Sequence, residues 1–191
     1  VTVSREDFVA RTARIAGVFS ALALISAALP AGAASAAPAV GTPGAPVVPA
    51  TLQPPAGTEV HAVLRARGVQ IYECKRSMWQ PLEPAASLTG TTVNPARKVT
   101  AVHFRGPAWV SDQDGSMVQG TDPVTEPATE PGSLPLSLYR ATGNRGGGLF
   151  GPVTWIQRID THGGAAPATS CGGDQPVAVP YRALYRFFTK K

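Results

Sequence analysis

The stretch from position 103 to 116 holds the densest set of reactive side chains in the protein: His103, Asp112, Asp114 and Ser116. Their types match a nucleophilic hydrolase, with Ser116 attacking, His103 taking its proton, and Asp114 or Asp112 orienting the imidazole. The surroundings argue against that chemistry. No Gly-x-Ser-x-Gly elbow frames Ser116, and nothing nearby signals an oxyanion donor. Asp114-Gly115-Ser116 also reads as a turn in which Asp bonds its own backbone and Gly supplies a positive φ. The expectation is therefore architectural. Gly106-Pro107 ends a strand, because Pro offers no N–H to a ladder. Trp109 turns into the core or a shallow pocket, and His103 hydrogen-bonds locally. No catalytic residue is assigned, and the His103, Asp114 and Ser116 hydrolase is kept as the alternative. Trp109, beside a turn, and His103 are the candidate ligand-binding pair, since an aromatic ring of this kind can also stack on a sugar.

Other motifs fail on context. Gly146-Gly147-Gly148-Leu149-Phe150-Gly151 has the form G-x-G-x-x-G. A dinucleotide fingerprint must open a helix, whose N-terminus receives the pyrophosphate. Here Pro152 and the β-branched run Val153-Thr154-Trp155-Ile156 follow instead, so this is a glycine-rich hairpin loop and no cofactor is expected. The three histidines, His61, His103 and His162, form no metal-binding pair by spacing, so no metal is expected. The net charge of +5 is mild and its basic residues are scattered. That excludes the basic stripe with interleaved aromatics that a nucleic-acid binder needs.

These groups must be positioned by a small exported domain. Arg5, Arg11 and Arg14 form a basic start, an apolar run covers Ile15 to Leu29, and Ala34-Ser35-Ala36 supplies the small residues a signal peptidase reads. As a helix, that run would span about 22 Å, short of the ~30 Å hydrocarbon core. Residues 1–36 are thus expected to be a cleaved signal peptide, with no membrane anchor afterwards and a secreted, extracellular or envelope-associated destination. Residues 37–57 carry six prolines and read as a semi-rigid linker. Residues 58–191 form the domain. Its two cysteines, Cys74 and Cys171, are expected to pair in an oxidising compartment. Closing a loop of roughly 100 residues restrains the unfolded chain by about 4–5 kcal/mol in the entropic model.

From Thr58 onward, short alternating runs are separated by Gly, Pro, Asp and Asn, and no helical period persists. The pattern predicts strands at 59–65, 69–74, 99–104, 109–111, 116–118, 135–141, 153–160 and 179–188. It also predicts a hairpin turn at Ala66-Arg67-Gly68, a short helix over 84–88 and an acidic loop over 122–133. In the last strand Tyr181, Ala183, Tyr185 and Phe187 face the core, and Arg182 and Arg186 face water. The fold class is mainly β: a single antiparallel β-sandwich or small β-barrel closed by one disulfide.

Ordered motifs run through this domain. Gly68-Val69-Gln70-Ile71-Tyr72-Glu73-Cys74 fits G-x-Q-I-Y-x-C, with Trp79 after it and then Pro84, Ala85 and Leu88. His103, Gly106-Pro107, Trp109 and Asp114-Gly115-Ser116 form a second block. Arg158, Thr161, Gly163-Gly164 and Ala166-Pro167 precede Cys171, and Val179-Pro180-Tyr181-x-Ala183-x-Tyr185-x-Phe187 closes the chain. Together they resemble the secreted family catalogued as domain of unknown function 3455, found in bacteria and fungi, over about Pro54 to Phe188. The resemblance implies an exported β-rich protein and supplies no activity. The malate-dehydrogenase label carried by some relatives finds no support, because the nucleotide fingerprint fails. The leading functional expectation is a non-catalytic extracellular module that binds a glycan, a cell-wall component or a small apolar ligand. The alternatives are the hydrolase above and a structural envelope protein.

Overall fold

A computed structural model describes residues 46–191. Eight antiparallel strands follow one another in chain order: β1 (Thr58–Lys75), β2 (Met78–Thr92), β3 (Lys98–Phe104), β4 (Ala108–Ser111), β5 (Met117–Glu126), β6 (Leu136–Arg145), β7 (Trp155–Gly163) and β8 (Val177–Lys190). Each pairs with its neighbour, and β8 pairs back with β1, so the sheet closes into a barrel. Closure removes the edges that an open sheet would expose. The choice between sandwich and barrel is thus decided for the barrel. The signal-peptide reading of residues 1–36 lies outside the described residues.

Alternation places one face of every strand inside. Leu64 and Ala66 of β1, Leu88 of β2, Ala101 and His103 of β3, Val118 of β5, Tyr139 of β6, Ile156 of β7 and Tyr185 and Phe187 of β8 are all buried. Eight strands enclose a space that side chains fill or that holds one small ligand. The β8 alternation is as expected, with Tyr181, Ala183, Tyr185 and Phe187 in the core cluster.

Three local expectations are corrected. Ala66-Arg67-Gly68 is no turn: it lies within the 18-residue β1, whose partner is β2 rather than a second half of itself. Gly68 is there because a Cβ would come within 2.1 Å of the Ala85 carbonyl oxygen on β2. Residues 84–88 are strand, not helix, because Pro84 to Leu88 pair with Ala66 to Gln70. The start of the acidic segment is also strand, with Val124 to Glu126 paired to Leu136 to Leu138.

The end of the proline-rich lead-in packs on the barrel. A 3-10 turn, Ala50–Leu52, buries Leu52 completely against Leu136 and Leu138 on the outer wall. Buried Gln157 donates its Nε2 to the Leu52 carbonyl at 2.7 Å. One apolar side chain and one satisfied carbonyl hold this segment, where proline content alone pointed to a spacer.

Candidate functional site

The two ends of the barrel are chemically different. At the end where β1 starts, the β6–β7 connection folds over the opening and inserts Leu149 and Phe150 into the core. This plug is held by the residues that suggested a hydrolase. Asp114 accepts from the Ser116 N–H through Oδ1 and from the Leu149 N–H through Oδ2, both at 2.9 Å. The Ser116 hydroxyl oxygen accepts from the Phe150 N–H at 3.0 Å. His61 donates its Nε2–H to the Leu149 carbonyl at 2.9 Å. Asn144 Nδ2 lies within hydrogen-bond distance of the carbonyls of Phe150, Gly151 and Val153, at 2.8, 3.1 and 2.9 Å.

Burial opposes the Asp114 charge, but its hydrogen bonds from Ser116 and Leu149 outweigh that and hold its carboxyl down at about 2. Gly148 also belongs to this latch, since a Cβ there would come within 2.3 Å of the Asp114 carboxylate. The G-x-G-x-x-G string thus serves as a lid segment shaped to an aspartate. Asn144 and His61 gave no sequence signal, because what they hold is a loop far away in the chain.

His103 stands apart from this latch. Among the described residues no hydrogen bond joins it to Asp114 or Ser116; its Nδ1 donates to the Ala108 carbonyl at 3.0 Å. His103 pairs with Trp109 and Trp109 with Val118, while Ser116 lies two residues before Val118, just ahead of β5. Two strand spacings and two residues separate the Cα atoms by roughly 11 Å. The structure therefore brings Asp114 and Ser116 together and leaves His103 elsewhere.

His103 lies inside the barrel, stacked on Trp109 with ring centroids 4.4 Å apart and planes 2° from parallel. Burial is the main reason its pKa falls to about 3; the nearby Arg158 charge adds to it, and the Ala108 hydrogen bond opposes it. The imidazole is neutral at any physiological pH. Trp109 is fully buried and meets Tyr139, Tyr185 and Phe187 edge-on at 5.6–6.0 Å. It presents no face to a glycan approaching from outside, so both candidate ligand-binding residues belong to the interior.

Toward the other end the interior turns polar around Arg158, which is 8% exposed. Its Nε and Nη2 donate to the Pro135 carbonyl at 3.1 and 2.9 Å, and Nη2 also donates to Ser137 Oγ at 3.0 Å. The guanidinium carbon lies 6.0 Å from the Tyr139 ring centroid. Burial works against the Arg158 charge, while the Tyr139, Tyr185 and Tyr181 oxygens favour it, and the balance leaves it charged. Among the described residues no carboxylate lies within ion-pair distance of it. An unpaired buried ion carries a penalty of several kcal/mol, offset here only by dipoles and a ring face.

Further polar groups in the interior are incompletely satisfied. The hydroxyls of Tyr181 and Tyr185 and the indole Nε1 of Trp109 are buried and complete no hydrogen bond of good geometry, although the two phenols lean on each other and Tyr185 on Arg158. Tyr181 and Tyr185 are close enough to shift each other's ionisation. Burial raises both pKa values, so each remains a neutral phenol. Tyr72 differs, donating to the Gly164 carbonyl at 2.6 Å. Arg158, Tyr181 and Tyr185 were legible as motif residues, and the two tyrosines as core-facing, but no binding role could be read for any of them.

The outer wall carries a second polar group. Arg65 faces Asp160 at 3.9 Å, and His162 bridges Glu130 and Asp160. These charges are exposed and offset one another, which makes them an ordinary solvated face. Among the described residues no group of three or more His, Cys, Asp or Glu is placed to hold a metal ion.

The Cys74–Cys171 disulfide ties the β1–β2 hairpin to the segment before β8 on the polar side of the barrel. The pairing expected from the cysteine count is thus present. No curated protein and no solved structure matches the chain. The model of the family described as "Protein of unknown function (DUF3455)" matches residues 55–189. That span takes in every barrel strand, apart from the last residue of β8, and both cysteines, and the chain belongs to this family.

Proposed function

We propose that the chain is an exported, non-catalytic binding module that takes a small organic ligand into the polar end of its barrel. The observation that carries this reading is a buried polar cluster: an arginine without a carboxylate, beside two phenol hydroxyls and an indole N–H that complete no hydrogen bond of good geometry. Buried polar groups are normally satisfied, and a concentrated exception calls for an explanation such as a binding role. The disulfide is compatible with an extracellular location. A small ligand fits better than a surface glycan, because Trp109 is internal and the exposed aromatic among the described residues is Phe104, at 39%.

The test combines a binding screen with a turnover screen on the mature protein. Small organic compounds are scored by Tm and tryptophan emission; esters, glycosides and peptides are scored for hydrolysis. The expected result is a ligand that raises Tm and changes emission, with no turnover. Hydrolysis by wild type that is lost in Ser116→Ala would overturn the proposal in favour of the hydrolase. A screen without a binder, from a protein that fractionates with the cell envelope, would favour a structural role.

A further inference from the structure

The incompletely satisfied groups in the barrel can all donate, and only the two phenol oxygens can also accept. Arg158 has five N–H bonds. Its Nε and Nη2 are engaged with Pro135 and Ser137, and among the described residues no hydrogen bond reaches Nη1. The Tyr181 and Tyr185 hydroxyls, each also an acceptor, and Trp109 Nε1 add further donors. Tyr185 links them in space, with its ring 5.6 Å from Trp109 and its oxygen among the groups that sense the Arg158 charge.

What complements such a set is a group that only accepts. An ionised carboxylate has two oxygens and about four lone-pair sites, matches a guanidinium, and takes phenol hydrogen bonds of the charge-assisted kind. The charge count is also specific. Arg158 supplies one positive charge, and neutral His103 supplies none. A single negative charge balances the site, whereas a dianion leaves an excess. The neighbouring walls are aromatic, from Tyr139, Trp109 and Phe187, which favours an organic body over a bare inorganic ion.

We propose that the polar end of the barrel binds a small organic monoanion through its carboxylate, which accepts hydrogen bonds from Arg158 Nη1 and the Tyr181 and Tyr185 hydroxyls. This rests on the binding-module reading above and names the ligand class for that site. It is not a charge effect of the outer wall, whose arginines are solvated and whose His162 already faces two carboxylates.

The experiment uses the mature, disulfide-bonded protein and four probes: benzoate and hexanoate, with benzamide and hexanol as neutral counterparts. Inorganic phosphate serves as a fifth arm. Tm and tryptophan emission are followed against concentration. Both carboxylates are expected to bind, and the neutral counterparts to bind about 10- to 100-fold more weakly. Arg158→Met is expected to abolish the difference between acid and neutral probe. Should that variant fail to fold, the double variant Tyr181→Phe/Tyr185→Phe keeps both rings and is expected to weaken carboxylate binding about tenfold. Equal binding of acids and neutrals would overturn the anion assignment and leave the binding module standing. Tighter binding of phosphate than of either carboxylate would overturn the organic-ligand assignment. Response to none of the probes would overturn the carboxylate assignment, while the binding module stands or falls by the wider compound screen described above.

Discussion

Replacing His103 with Gln should remove a specific acid sensitivity from the protein. In the fold the His103 pKa is lowered from its ordinary 6.5 to about 3, because the ring is buried between Trp109 and Tyr185 and feels Arg158. Below pH 6.5 the unfolded chain takes up a proton at this position and the folded chain does not. Stability therefore falls as pH falls, from about 6.5 down to about 3. At ~1.36 kcal/mol per pH unit, the loss between pH 8 and pH 5 comes to about 2 kcal/mol.

Two other groups could blur this, and their signs differ. Asp114, held at about 2, contributes stability that is present above its ordinary value of 3.8 and lost below it, outside this window. The His162 pKa is raised, mainly by its hydrogen bond with Glu130, so its contribution is full below 6.5 and is lost as pH rises. His103→Gln retains both groups, and they cancel in the comparison. The assay is urea unfolding followed by tryptophan emission at pH 8 and pH 5, for wild type and His103→Gln. Wild type should lose about 2 kcal/mol more than the variant between the two values. An equal loss in both would mean that His103 is solvated or already charged in the fold, and the burial argument would be refuted.

Asp114→Ala and Ser116→Ala should loosen the barrel plug: amide exchange at Leu149 and Phe150 rises, respectively, while the β1–β8 ladder stays protected. Unchanged protection at those two amides would show that the latch does not hold. Trp109→Ala is expected to cost about 3–5 kcal/mol by calorimetry, because the whole indole leaves the core. Cys171→Ser should destabilise the barrel by about 4–5 kcal/mol in chemical unfolding, from the lost restraint on a 97-residue separation. Thiol titration of the folded, non-reduced wild type should find no free cysteine. N-terminal sequencing of exported protein should begin at Ala37, and an intact N-terminal 36 residues on exported material would refute the cleavage reading.

The strand content and the inward face of β8 were legible because alternation is local: Tyr181, Ala183, Tyr185 and Phe187 are separated by one residue each, and the pleat sends them to one side. The disulfide was legible because only two cysteines exist and only one intramolecular pairing is available. The continuous β1 was less legible. Ala66-Arg67-Gly68 has turn composition, yet Gly68 answers to the close approach of β2, a contact from a different part of the chain. The proline-rich end of the lead-in hid an anchor for the same reason, since Leu52 matters only once Leu136 and Leu138 form its seat.

By itself the sequence determined an antiparallel β domain with one possible disulfide, and it put His103, Trp109, Asp114 and Ser116 into one short segment. Only the tertiary structure decided that these residues serve two different ends of a barrel. Along β3 to β5 the register sends Asp114 and Ser116 to the plug and His103 and Trp109 to the interior. Arg158 shows the reason most plainly. It lies two residues after Ile156, so both must share a face of β7. Whether that face looks into water or into the barrel depends on β8 pairing with β1. Closure turns an ordinary strand arginine into a buried charge, because burial is a property of the closed sheet and not of the residue's neighbours in sequence.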